Sequence, residues 1–262
     1  TVTEDRNAVP PTTRDYYIPY LTPENIDAAK TAVTNYQNYK NNPETHDKPT
    51  QDEYSIINSA LDIVLPAGIE AIQTGLFSNL DTEGKKVDSA KTANTMLQSI
   101  TMYTVDEIEP YAFADCTNDG QSPFSTGLRG VYQNPTGCTT VGDYAFRNCT
   151  SLSDVSLAAT VENFGLRPFM GCDNLYYVDF NAGPYYSCSD AAIIFGLDSN
   201  GNMGKVMECL ECRGNSFGNA KVGPDELSGV TEMAEEAFMD CDGIGQVDLK
   251  SSSLSKVPER AF

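Results

Sequence analysis

The 262-residue chain carries 37 aspartates and glutamates against 17 lysines and arginines, a formal net charge of −20, so nucleic acid and anionic lipid, which reward clustered cations, are not expected partners. At 40% apolar residues the chain has enough material for a core. No apolar run approaches the ~18 residues of a membrane span, so membrane insertion is not expected either.

Thr1-Val2-Thr3-Glu4 is not an export signal, and the absence of an initial Met points to a leader or other segment upstream. Residues 1–15, with Pro10-Pro11, read as extended chain. Thr22-Pro23-Glu24 has the form of a helix cap followed by proline in the first turn, and Ile26, Ala29, Val33 and Tyr36 follow at near-helical spacing. Residues 40–49 are linker-like and hold the only histidine, His46. Residues 1–56 are therefore expected to be an N-terminal extension with a capping helix.

From residue 57 to 262 the chain repeats itself. Phe-x-x-Cys occurs at Phe113/Cys116, Phe146/Cys149, Phe169/Cys172 and Phe238/Cys241, with Ala before the Phe in three copies. From Phe113 through Phe262 the Phe positions lie 33, 23, 69 and 24 residues apart. Because 69 is three times 23, the underlying period is about 23, inside the 20–29 of leucine-rich repeats. Cys149, Cys172 and Cys241 are each followed by an element of the L-x-x-V-x-L type: Leu152-x-x-Val155-x-Leu157, Leu175-x-x-Val178-x-Phe180 and Ile244-x-x-Val247-x-Leu249. An earlier copy, Leu97-x-x-Ile100-x-Met102, precedes Phe113. Its last two positions alternate like a strand. One unit is then a short strand, a turn and a helical or 3₁₀ segment carrying Ala-Phe, and it has to stack on its neighbours to cover its apolar face.

These residues resemble the BspA-like leucine-rich repeats of bacterial and some protist surface proteins. The pattern of Ile, Ala-Phe, Cys and then Leu, Ile and Leu is met by Ile108, Ala112, Phe113 and Cys116, and again by Val141, Ala145, Phe146, Cys149, Leu152, Val155 and Leu157. The resemblance implies an extracellular or cell-surface location and adhesion to host or matrix proteins. The expected fold is an α/β repeat, a right-handed leucine-rich solenoid of about seven units with the helical cap in front. A Phe column would run through 77, 113, 146, 169, 238 and 262. The last copy stops in mid-repeat at Ala261-Phe262, as it would if the repeats continued beyond it.

Two segments depart from the period. Thr117–Pro123 is a turn-rich loop. A longer insertion, about 184–223, places Ile193-Ile194-Phe195 and Val206-Met207 either side of Ser199-Asn200-Gly201-Asn202, the signature of a hairpin, expected to extend from the stack.

No catalytic constellation is legible. His46 lies in the linker, remote from the repeat cysteines, so neither Cys-His nor Ser-His-Asp catalysis is expected. Cys209-Leu210-Glu211-Cys212 suggests zinc or redox chemistry, but the second half of a metal set is missing, and Met207-x-x-Leu210-x-Cys212 also fits the strand template. A small core residue is the leading reading of Cys212, and a disulfide from Cys188 or Cys209 is the alternative. Cys116, Cys149, Cys172 and Cys241 are expected to form a column of buried, reduced thiols. Asp198-Ser199-Asn200-Gly201-Asn202 comes nearest to a calcium loop but lacks its final Glu, and phosphate-binding glycine motifs are absent.

What remains is surface. Strand alternation turns Thr101, Tyr103, Tyr132, Asn134, Ser156, Ala158, Tyr177, Asp179, Asn181, Asp248 and Lys250 to the open side of the sheet. Tyr103, Tyr132, Ser156, Tyr177, Asp179 and Asp248 form the candidate ligand-binding face, since tyrosine gives contact area at low entropic cost. The expected function is a non-enzymatic, cofactor-free and monomeric module that binds a protein or glycan, and the acidic charge favours either a basic partner or calcium bridging two acidic surfaces. The alternatives are a structural spacer within a larger surface protein and, third, an enzyme or metal site in the 184–223 insertion.

Overall fold

The computed structural model describes residues 62–65, 68–87, 97–118, 127–190, 192–211, 220–241 and 244–262, together with Asn35 and Ala93. Each repeat lays down two short strands. β1 (Asp62–Val64), β3 (Ser99–Met102), β5 (Gly130–Gln133), β7 (Asp154–Ser156) and β9 (Val178–Asp179) pair in that order into a parallel sheet. β2 (Ala71–Ile72), β4 (Glu107–Ile108), β6 (Thr140–Val141) and β8 (Asn163–Phe164) form a second parallel sheet. The result is a β-solenoid of about five turns. The first sheet keeps Ile63, Ile100, Val131, Val155 and Val178 level, and the second keeps Ile72, Ile108, Val141 and Phe164 level. All nine are buried.

The helical or 3₁₀ segments expected at each Ala-Phe are not formed. Two residues per copy, either side of the Phe, have positive φ: Tyr111 and Asp115, Tyr144 and Asn148, Arg167 and Gly171, Glu236 and Asp240. A left-handed residue costs roughly 1–2 kcal/mol when it is not glycine, and two so close together interrupt any helical ladder. Alternate N–H groups are committed to the next turn instead. The N–H groups of Tyr111, Phe113 and Asp115 donate to the carbonyls of Asp143, Ala145 and Arg147 at 2.7–3.1 Å. Tyr144, Phe146 and Asn148 repeat the pattern onto Leu166, Pro168 and Met170. The intervening Ala112, Ala114 and Cys116 bond three residues back, within their own turn. Half of the donors are thus spent between turns, which excludes a helix. The expected capping helix lies outside the described residues, apart from Asn35, whose backbone is helical.

Side chains follow the same stacking. The rings of Phe77, Phe113, Phe146 and Phe169 are nearly parallel, with successive centroids 4.8, 5.1 and 5.3 Å apart. Beside them the thiols of Cys116, Cys149 and Cys172 donate to the carbonyls of Phe77, Phe113 and Phe146 at 3.5, 3.1 and 3.2 Å.

The Phe column does not continue unbroken to Phe262. Phe238 and Phe262 stack on each other at 5.3 Å, and Phe238 belongs to a second core with Phe195, Val206, Cys209, Val222 and Leu227. The insertion stands between the two cores. The expected hairpin is present as β11 (Ile193–Leu197) and β12 (Met203–Cys209), but it does not project from the stack. β10 (Tyr186–Cys188) adds a third antiparallel strand, and β12 pairs in parallel with β14 (Glu232–Met233). The burial of Ile193, Ile194, Phe195 and Val206 is the reason: an apolar hairpin of this kind has to be covered on both faces. Beyond it β13 (Ala220–Val222) pairs in parallel with β15 (Ile244–Val247).

Cys209 takes the place of the missing ring. Its N–H donates to Ala237 O at 2.7 Å, as Phe113 N–H does to Ala145 O, and the Cys241 thiol donates to Cys209 O at 3.4 Å. Cys209 of the C-x-x-C therefore stands in the Phe position of its turn. Cys212 lies outside the described residues.

At this substituted turn β12 runs where backbone carbonyls would meet the Phe169 turn, and carboxylates take over. The Phe169 N–H donates to Glu208 Oε2 at 3.4 Å, and the Gly171 N–H is directed to Glu211. Arg167, only 1% exposed, pairs with Glu211, with Asp240 at 3.0 Å, and donates to Met239 O at 2.8 Å. Burial lifts the Glu208 pKa to about 8, although Arg167 and the Phe169 N–H both oppose the shift. Burial also raises that of Glu211.

Two outcomes are expected. Phe146→Ala removes the centre of a stacked column and should cost about 3–5 kcal/mol in urea unfolding, whereas a loss below about 1 kcal/mol would mean that the column is not the core. A carboxyl whose folded pKa is raised binds its proton more tightly in the folded state. Its contribution is complete below pH 4.5, the unfolded value, and is lost as pH rises through about 8. Melting temperature should therefore fall across that window, and Glu208→Gln should flatten the slope. An equal slope in the variant would remove Glu208 as its source.

Candidate interaction surfaces

On the open face of the first sheet, register sets Thr101, Tyr132, Ser156 and Asp179 level on successive strands. Tyr177 lies two residues before Asp179 and is 49% exposed. The Tyr132 ring folds back along its own strand over Gly130: a Cβ there would stand 2.6 Å from the phenol oxygen. Glycine at 130 thus lets the ring lie flat and donate to Asp154 Oδ2 at 2.8 Å. Asn181 closes the far end, donating through Nδ2 to Ser156 Oγ at 3.0 Å and Leu157 O at 2.6 Å, while its N–H donates to Asp179 Oδ1 at 2.7 Å.

Four of the six candidate residues, Tyr132, Ser156, Tyr177 and Asp179, therefore share one face. Tyr103 does not. It lies past the end of β3, where alternation no longer applies, and is 7% exposed. Ala158, past the end of β7, is buried for the same reason. Asp248 follows β15 in the separate two-stranded sheet, where its N–H donates to Val222 O at 2.9 Å. Asp154 belongs to the face and was missed, although it stands two residues before Ser156 on the same strand.

A second surface was not legible in the sequence. The outward residues of the second sheet, Glu107, Thr140 and Asn163, stand level on β4, β6 and β8 and form the floor of a groove of about 720 Å³. The inserted sheet supplies its other side, with Lys205 on β12 opposite Glu232 on β14. Tyr185 donates to Glu162 Oε1 at 2.6 Å, and Tyr186 to Glu162 O at 2.9 Å, tying the insertion to β8. Only folding brings residues so far apart in sequence to one concavity.

Burial governs the chemistry of the described cysteines. All seven are buried thiols. Burial pushes the Cys149 and Cys172 thiols well above the usual range and Cys188 to about 11. Asp198 accepts the N–H groups of Asn200 and Asn202 at 2.8 and 2.9 Å, closing a turn of the same form as the one at Asp81. No group of histidines, cysteines and carboxylates among the described residues is placed to hold a metal ion. His46 lies outside the described residues.

Repeated strands, stacked phenylalanines and a thiol ladder define a leucine-rich-type repeat solenoid. The model of the BspA-type leucine-rich repeat region matches residues 51–134 and 127–191 with six copies, more than half of the chain. The chain belongs to this family. Among solved structures it is similar to a leucine-rich cell surface protein of Faecalibacterium prausnitzii, with 15% identity, 77% of this chain and 64% of the other covered, and a TM-score of 0.42. A leucine-rich repeat protein of Eubacterium ventriosum gives 12% identity, 74% and 51% coverage, and a TM-score of 0.42. The chain thus spans between half and two-thirds of the length of those two proteins. No curated protein sequence matches it significantly.

Because a protonated, buried thiol is a poor nucleophile, Cys149 and Cys172 should escape iodoacetamide in the native protein and react fully in denaturant, as read by peptide mapping. Native labelling at either position, or a Cys149–Cys172 disulfide, would overturn the structural role given to them.

Proposed function

We propose that this chain is a non-enzymatic protein-binding module of a bacterial surface or secreted protein, which adheres as a monomer to a host or matrix protein. The observation that carries this reading is the open face of the first sheet, where Tyr132, Asp154, Ser156, Tyr177, Asp179 and Asn181 form one continuous aromatic and polar surface on rigid strands. Tyr176 and Tyr177 are about half exposed, and tyrosine beside carboxylate and amide groups is a composition suited to recognition. Family membership supports a binding or structural role, and the surface location follows from it by analogy. A glycan ligand is the neighbouring alternative, since the same side chains offer ring faces and hydrogen-bonding groups. A spacer role needs only the stack itself.

Tyr177→Ala combined with Asp179→Ala removes the most exposed aromatic of this face and its neighbouring carboxylate, at the β9 edge, without touching the core. Binding to immobilised extracellular-matrix proteins should fall by at least about tenfold, as expected when an aromatic anchor of an interface is truncated. Unchanged binding by the folded variant would move the site elsewhere. Absence of binding to any matrix protein or glycan by the unaltered chain would favour the spacer.

A further inference from the structure

We infer that the groove between the second sheet and the inserted β10–β12 sheet is a separate docking site for an extended polypeptide segment carrying lysine or arginine. The inference rests on reading the chain as a protein-binding module, but not on the sheet-face site. The first observation is shape. A concavity of about 720 Å³ falls within the ~300–1,000 Å³ typical of ligand pockets, and it exists because the insertion departs from the repeat. Its floor is a row of three parallel strands, with the side chains of Glu107, Thr140 and Asn163 level across it.

The second observation is charge. Among the described residues, Glu107, Asp143, Glu162, Asp198 and Glu232 line the groove against one cation, Lys205. Three of these carboxylates are fixed in place rather than free to fold away. Glu162 accepts the Tyr185 hydroxyl, Asp143 Oδ1 accepts Leu166 N–H at 2.7 Å, and Asp198 closes its own turn. A concave wall of one sign focuses the field on whatever enters it, so the occupant that complements it is cationic. The carboxylates do not converge on one point as metal ligands, as the lack of a metal-holding group among the described residues requires. They are spread along the groove, as the charges of a peptide are. Tyr185, 40% exposed at the wall, offers its ring to the stem or planar head of a lysine or arginine.

The test uses the whole chain and a short fluorescein-labelled peptide of alternating lysine and threonine, followed by fluorescence anisotropy at low salt. Glu162→Gln with Glu232→Gln, which keeps shape and removes two charges from the groove, should weaken binding at least about fivefold. Glu83→Gln with Glu259→Gln removes two exposed charges that do not line the groove and should stay within about twofold of the unaltered chain. Tyr177→Ala with Asp179→Ala should bind the peptide normally, whatever it does to matrix-protein binding, so the two sites fail independently. Equal weakening by the groove and control pairs would reduce the effect to bulk charge and overturn the proposal. Loss of the peptide only in the sheet-face variant would also overturn it, placing the segment on the other sheet. No peptide binding by the unaltered chain would overturn it as well, and binding of a neutral β-glucan oligosaccharide in its place would assign the groove to a glycan.

Discussion

The structure depends on how the backbone N–H groups around each Phe are divided. Alternate donors leave their own turn for carbonyls of the next, and the rest close tight bonds three residues back. That division requires positive φ two residues before and two after the Phe, and the repeat accepts Tyr, Arg, Glu, Asp and Asn in a conformation that glycine would adopt without strain. Stacking offsets the strain. Tyr111 and Tyr144 lie ring to ring at 5.4 Å, and the Phe rings beside them do the same, each aromatic pair contributing about 0.5–1.5 kcal/mol beyond its buried area. A turn of this kind has no stability alone, because both its hydrogen bonds and its ring contacts are supplied by a neighbour.

The insertion shows what happens when one turn breaks the rule. Strand β12 carries its last residue, Cys209, into the Phe position, and the backbone there is extended rather than folded into the repeat turn. The donors of the Phe169 turn then face Glu208 and Glu211 in place of carbonyls, and Arg167 balances the buried charge. Such an arrangement is costly to desolvate and costly to break, so it joins the two cores by a contact with little tolerance for the loss of any member. Glu236 extends it, accepting the Tyr144 hydroxyl at 3.1 Å and Arg260 Nη2 at 2.9 Å. The same insertion that interrupts the Phe column creates the groove, so the least regular part of the repeat holds the fold together and also shapes a surface.

Much of this was determined by sequence alone. The period, the Phe and Cys columns up to Phe169, the strand register at Ile100, Val155 and Val178, and the hairpin about Asn200-Gly201 all follow from local patterns of apolar spacing and turn chemistry. Most of the sheet face was legible too, since within a strand alternation fixes direction, as at Tyr132, Ser156 and Asp179. Tertiary structure decided the rest. Whether Ala-Phe becomes a helix depends on where its N–H groups find acceptors, and those lie in the next turn, beyond any local propensity. Tyr103 and Asp248 stand beyond the ends of their strands, where alternation ceases to predict direction. Cys209 in the role of a Phe, the carboxylates that replace carbonyls and the acidic groove all join segments tens of residues apart, because the burial of an apolar hairpin against the stack set their positions, and that burial is a property of the folded whole.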